Sequence, residues 1–100
     1  MAYICFCNDR PGSLTKRRAA TAEHLEYIET IMQHILVAGP LTGEDTDDFI
    51  ASCFVYDTDD ARLAERLLHN DPYFKAGIYA HVSFHRFRPA AGAWIGGKTW

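Results

Sequence analysis

Eight residues, Phe49-Ile-Ala-Ser-Cys-Phe-Val-Tyr56, constrain this chain more than any other stretch. Read as a strand, the run is nearly apolar on both alternating faces, so neither face can be left to water. It therefore predicts a central strand covered on both sides. In a chain of 100 residues there is room for one sheet and one helical layer, hence one domain over residues 1–100. We expect its core within 2–88 and a flexible or docking C-terminal tail over 89–100.

The neighbouring segments fix the element order. Ala2–Cys7 is a β-rich run ended by Asn8-Asp9-Arg10-Pro11-Gly12, a dense turn signal. Thr21 is then the expected N-cap of a first helix whose apolar stripe is Leu25, Ile28, Met32 and Ile35. Gly39-Pro40 cannot continue a helix, so Leu36–Leu41 reads as a strand, joined to 49–56 by the acidic hairpin loop Thr42–Asp48. Thr58 reads as the cap of a second helix carrying Ala61, Ala64, Leu67 and Leu68, which Asn70-Asp71-Pro72 ends. Ile78–Arg88 is a last strand, closed by Pro89. The order β-α-β-β-α-β predicts an α+β, ferredoxin-like fold. Right-handed crossovers place both helices on one face of a four-stranded antiparallel sheet. The other face is then apolar, and a second copy packed sheet to sheet is its natural cover. A homodimer or higher homo-oligomer is expected, with Phe54 or Cys53 and the last strand at the interface.

Charge and composition exclude several function classes. A net charge of −3 and one short basic cluster, Lys16-Arg17-Arg18, argue against nucleic acid as a partner. No apolar run approaches the roughly 20 residues of a membrane span. The three cysteines lack C-x-x-C spacing, and Cys5 and Cys7 share a strand face, so they read as buried thiols in a reducing cytoplasm. A metal reading would need two more ligands nearby, so neither metal nor cofactor is expected. No G-x-G-x-x-G, P-loop, H-E-x-x-H or G-x-S-x-G pattern is present.

What remains is acid–base chemistry. The topology gathers at one end the loop feeding the first helix, the hairpin, and the loop entering the last strand. That brings His24, expected in the first turn of helix one, toward Asp71, expected just past helix two. An aspartate there faces the negative end of the helix dipole and calls for a nearby donor, while a helix N-terminus favours the neutral imidazole. A neutral histidine oriented by a carboxylate is a general base. Bland readings stand beside this one. His24 lies about 40° from Ile28 on a helical wheel, as a core histidine would, and Asp71 before proline is also an Asx-type turn former. His34, His69, His81 and His85 read as structural or solvated.

In order and spacing, several pieces match a known family. They are Asp9-Arg10-Pro11-Gly12-Ser13, His24-Leu25, Ala38-Gly39-Pro40-Leu41, Ser52, Asp71-Pro72-Tyr73 and Lys75-Ala76-Gly77. On these the chain resembles the YCII-related family of small proteins. The resemblance implies a dimeric ferredoxin-like α/β barrel and a His–Asp active site, which falls here on His24 and Asp71. One member of that family is a dehydrochlorinase acting on a chlorinated hydroxyhydroquinone, and most members have no assigned reaction. Two departures stand out: Ala51 where a glycine usually precedes the third-strand serine, and the tail with Trp94 and Trp100. The expected function is a small cofactor-independent enzyme, lyase- or isomerase-like, transferring a proton on an aromatic or enolisable small molecule. Arg17 or Arg18 with Ser52 would hold an anionic oxygen, and Tyr73 and Phe74 would form the apolar wall. The alternative is a non-catalytic ligand-binding or assembly module with the same fold.

Overall fold

The computed structural model describes residues 1–100. Four strands, β1 (Ala2–Asp9), β2 (Ile35–Thr42), β3 (Phe49–Tyr56) and β4 (Tyr79–Phe87), form one sheet in the order β2-β3-β1-β4. Every pairing is antiparallel. The expected α+β arrangement, with its antiparallel sheet and helices between the strands, is what the chain adopts. Phe49–Tyr56 is a strand over the expected residues and lies inside the sheet, between β1 and β2.

Alternation along the strands sorts the two faces. Cys5 and Cys7 of β1 and Ser52, Phe54 and Tyr56 of β3 turn toward the helices and are buried. They meet Ala64, Leu67 and Leu68 from α2 (Ala61–His69), together with Ile31, Tyr73, Ile78 and Tyr79. Phe54 is thus core, at 2% exposure, and cannot serve the sheet-to-sheet interface expected of it. Cys53 and Val55 do face the other side, where Phe6, Leu41 and Phe87 are exposed.

The first helix departs most from the sequence reading. α1 runs Leu14–Thr30, so its first turn follows the Pro11-Gly12-Ser13 bend, where Gly12 has φ +77°. Thr21 is no N-cap; it lies inside the helix, donating its hydroxyl proton to the Arg17 carbonyl at 2.8 Å. The expected stripe is not the buried face either, for Leu25 and Met32 are 55% and 61% exposed. The inward face is Arg17, Thr21, His24, Tyr27, Ile28 and Ile31. Its N-terminal half is polar, and apolar periodicity cannot see a polar face turned inward.

Two smaller differences follow from local capping. Asp60, not Thr58, caps α2, accepting from the Arg62 amide at 2.9 Å. Beyond α2 the chain forms a further short helix, α3 (Pro72–Lys75), with Pro72 in its first turn. The tail folds back as a two-stranded ribbon, β5 (Ala91–Gly92) and β6 (Gly97–Lys98), around a 3₁₀ turn. Residues Ala91–Ile95 lie against the face carrying Ile4, Val37, Cys53 and Val55, enclosing an apolar hollow of about 410 Å³. The tail therefore meets the sheet away from the helices. Trp94 and Trp100 stay 82% and 73% exposed.

Candidate active site

The site grows from the polar inner face of α1. His24 projects from the middle of that helix onto α3, and its Nδ1 lies 2.8 Å from Asp71 Oδ1. The Asp71 side chain is 1% exposed and that of His24 12%. Asp71 follows the C-cap of α2, where its amide donates to the Leu68 carbonyl at 3.0 Å, and it is itself the N-cap of α3. Oδ1 accepts from the Tyr73 amide at 2.9 Å as well as facing His24. The expected electrostatics change accordingly. His24 is far from either end of α1, so no terminal dipole biases it, and the new helix supplies the backbone donor that α2 cannot.

A carboxylate oxygen only accepts, so opposite Asp71 it is His24 Nδ1 that carries the proton. In the neutral ring Nε2 is then the free base. Two aromatic rings hold the imidazole. Tyr73 stacks on it with centroids 3.8 Å apart and an angle of 11°, and Phe54 meets it edge-on at 6.3 Å. His24 borders an open cavity of about 310 Å³, whose walls include Leu25, Ile28, Pro40, Phe49 and Phe54. Asp71 does not border it and is fully buried behind His24. The larger hollow beneath the tail is lined by no ionisable side chain beyond the Cys53 thiol, and its other polar side-chain group is the Trp94 indole N–H.

Arg17, Ser52 and Tyr73 join the same assembly, with Tyr73 on the cavity wall as expected and Arg17 bordering it as well. Arg17 is buried and donates to both oxygens of Asp9, from Nε at 2.8 Å and Nη2 at 2.9 Å. Nη2 also donates to Ser52 Oγ at 2.8 Å. Burial alone would lower the guanidinium pKa, but Asp9 outweighs it and holds Arg17 above its ordinary value. Nη1 makes no hydrogen bond within the chain, and Arg17 borders the cavity beside His24. Its guanidinium carbon lies 4.6 Å from the centroid of the Tyr73 ring. Arg18 and Phe74 stand outside the cavity: Arg18 is exposed and pairs with Asp48 at 3.3 Å, and Phe74 stacks on His69 at 4.5 Å.

Asp9 and Thr21 are the residues the sequence reading missed. Asp9 follows Cys5 and Cys7 at two-residue steps on β1, the face turned to the helices. An acid at that register requires a buried cation, a signal that points to Arg17. Around Asp71 the other ionisable groups stay neutral. Cys7 is pushed up by its contact with Cys5 and by burial, and burial likewise raises Tyr56 and Tyr79. The Cys5 and Cys7 sulfurs lie 3.4 Å apart, but no group of three His, Cys, Asp or Glu gathers at ligating distance.

The model of the YCII-related domain matches residues 1–88. The chain belongs to the YCII-related family. It is 30% identical over 95 residues to Protein YciI of Escherichia coli O6:H1 (strain CFT073), covering 88% of this chain and 97% of that one. An uncharacterised protein of Haemophilus influenzae is similar over the same shares, also at 30% identity. Among solved structures, the chain is similar to 5-chloro-2-hydroxyhydroquinone dehydrochlorinase (TftG) from Burkholderia phenoliruptrix AC1100, in complex with 2,5-dihydroxybenzoquinone. The TM-score is 0.81 at 32% identity, over 93% of this chain and 97% of TftG. The tail beyond residue 88 lies outside the family match. No helix is long and apolar enough to cross a membrane.

Proposed function

We propose that the chain is a small cytoplasmic enzyme that moves a proton on a hydroxylated aromatic or enolisable substrate, with lyase chemistry of the dehydrochlorinase kind. The observation that carries this reading is the His24–Asp71 pair at 2.8 Å with its imidazole on the cavity wall. Asp71 keeps the proton on Nδ1 and stabilises the imidazolium, so Nε2 can take a proton from a substrate hydroxyl or carbon. In an elimination the electron pair left behind forms the new double bond, and chloride departs with the electrons of the carbon–chlorine bond. The likeness to TftG supports this class of substrate. So does the cavity, with apolar walls and few converging polar groups, which suits a flat ring. Ser52 and Arg17 act as framework in this reading, and Tyr73 as both wall and framework. Incubating the protein with chlorinated hydroquinones and with enolisable ketones, and following chloride release and proton exchange with deuterated water, tests it. Turnover of a chlorinated quinol is expected. Inertness toward both substrate classes would favour a binding module instead.

We propose further that two copies pack sheet to sheet. The support is the part of the sheet face away from the helices that the tail leaves open, with Phe6, Leu41 and Phe87 at 39%, 38% and 38% exposure. Stable pairs bury above about 1,000 Å². Light scattering at micromolar concentration is expected to return about twice 11.3 kDa; a purely monomeric mass would reject the pairing.

A further inference from the structure

Tyr73 does more than wall the cavity. Its ring stands between two groups of the same helix: the His24 imidazole at 3.8 Å and the Arg17 guanidinium at 4.6 Å from its centroid. Arg17 and His24 are seven residues apart, two helical turns or about 10.5 Å along the axis. One ring in contact with both must therefore be filled on both faces. Its hydroxyl is fixed as well. Thr21 Oγ1 gives its only proton to the Arg17 carbonyl, so the Tyr73 hydroxyl donates to Thr21 Oγ1 at 2.9 Å. Tyr73 is 4% exposed, and its amide is bonded to the carboxylate that orients His24.

We propose that Tyr73 is the positioning residue of the pair. Its ring holds the imidazole in the plane that points Nε2 to the cavity, and its π-face favours the imidazolium formed during proton transfer. A cation stacked on an aromatic face is stabilised by the ring quadrupole. The groups around His24 leave this effect readable. α3 brings Asp71, whose carboxylate also favours the imidazolium, and Tyr73. β3 brings Phe54 and no charge, and β2 brings Ala38, Gly39 and Pro40. α1 brings Arg17, whose charge Asp9 of β1 neutralises at 2.8 Å. The neutral Tyr27 phenol and Cys7 thiol lie near Asp71, both raised from their ordinary values, Tyr27 by burial and Cys7 by its contact with Cys5 and by burial. Arg17 thus acts from the far side of the ring, keeping it flat against His24, and makes no contact with the imidazole.

The proposal rests on reading His24 as the proton carrier, yet it is tested on the imidazole itself, in the full chain, without substrate. The variants are Tyr73→Phe and the same phenylalanine carrying five fluorines, which keeps the ring's shape while reversing its quadrupole. Nuclear magnetic resonance follows the titration midpoint of His24 and the share of the Nδ1–H tautomer. Tyr73→Phe is expected to keep both. The fluorinated ring is expected to move the midpoint about half a pH unit lower, the low end of a cation–π effect. Tyr73→Leu should lower the midpoint and also reduce the Nδ1–H share, because the ring is no longer held in plane. A purely structural Tyr73 gives another pattern: a lower melting temperature in Tyr73→Leu with midpoint and tautomer unchanged in every variant. That pattern overturns the proposal even if the enzyme reading stands. An inactive protein that shows the expected shifts would leave the proposal intact while removing the catalytic reading.

Discussion

Replacing His24 by alanine is expected to remove about 10²–10⁴-fold of turnover while leaving the fold in place, the usual range for a general acid–base group. The fold survives because the ring sits on a cavity wall, so its loss enlarges an existing opening and seals no void in the core. Asp71→Asn separates the two halves of the pair. The asparagine oxygen can still accept from the Tyr73 amide and cap α3, so the local backbone holds. The charge facing the imidazolium is gone, while the oxygen that caps α3 is the same one that faces Nδ1 and can still accept from it. Activity should fall by a similar or smaller factor than in His24→Ala. Steady-state rates set beside melting curves check both variants. A folded His24→Ala protein with wild-type turnover would remove the imidazole from the reaction. A large loss of stability with unchanged specific activity would return His24 to the core.

The architecture was legible because the apolar run 49–56 reads as a strand inside the sheet, although Phe49 and Ile50 stay 47% and 48% exposed, and because Gly39-Pro40 and Asp71-Pro72 admit few alternatives. The His24–Asp71 pairing was legible as well, although the route to it was partly mistaken. The dipole argument placed His24 in a first turn, but the helix begins at Leu14, ten residues before it. What failed was the reading of α1, and the failure has one cause. Periodicity arguments assume that the buried stripe is apolar. Here the stripe begins with Arg17, Thr21 and His24, which turn inward because they bond to partners on β1, β3 and α3. Functional sites break the local rules in this way. The same reasoning explains Arg17 and Arg18. They are adjacent in sequence but about 100° apart around the helix. One turns inward and pairs with Asp9, while the other faces water. Phe74 likewise turns from the cavity that Tyr73 borders, since neighbours on a helix do not share a face.

The largest stability effect is expected at Arg17, which borders the cavity while its guanidinium is held by Asp9 and Ser52. The Arg17 and Asp9 side chains are 3% and 7% exposed, and their two hydrogen bonds lie at 2.8 and 2.9 Å. Removing one partner of a buried ion pair costs about 3–5 kcal/mol, chiefly because the remaining charge is left without water or counter-charge. Arg17→Met keeps the length of the side chain but strands the Asp9 carboxylate, withdraws a donor from Ser52, and takes the cation from the Tyr73 ring. It should therefore be destabilised by about that amount in denaturant unfolding. The damage is an unpaired charge more than a lost bond, and the double variant discriminates the two. Asp9→Leu combined with Arg17→Met removes both charges together and should recover a large part of the loss, since apolar pairs of similar volume often replace buried ion pairs at little cost. The two substitutions will then be far from additive, as contacting residues are. Additive losses in the double variant would show that the pair is held apart energetically despite its geometry, and the account of Arg17 as the partner of a buried ion pair would fail. If the account holds, the double variant should fold with His24 still bonded to Asp71, because that bond is made by α1 and α3 without either charged group.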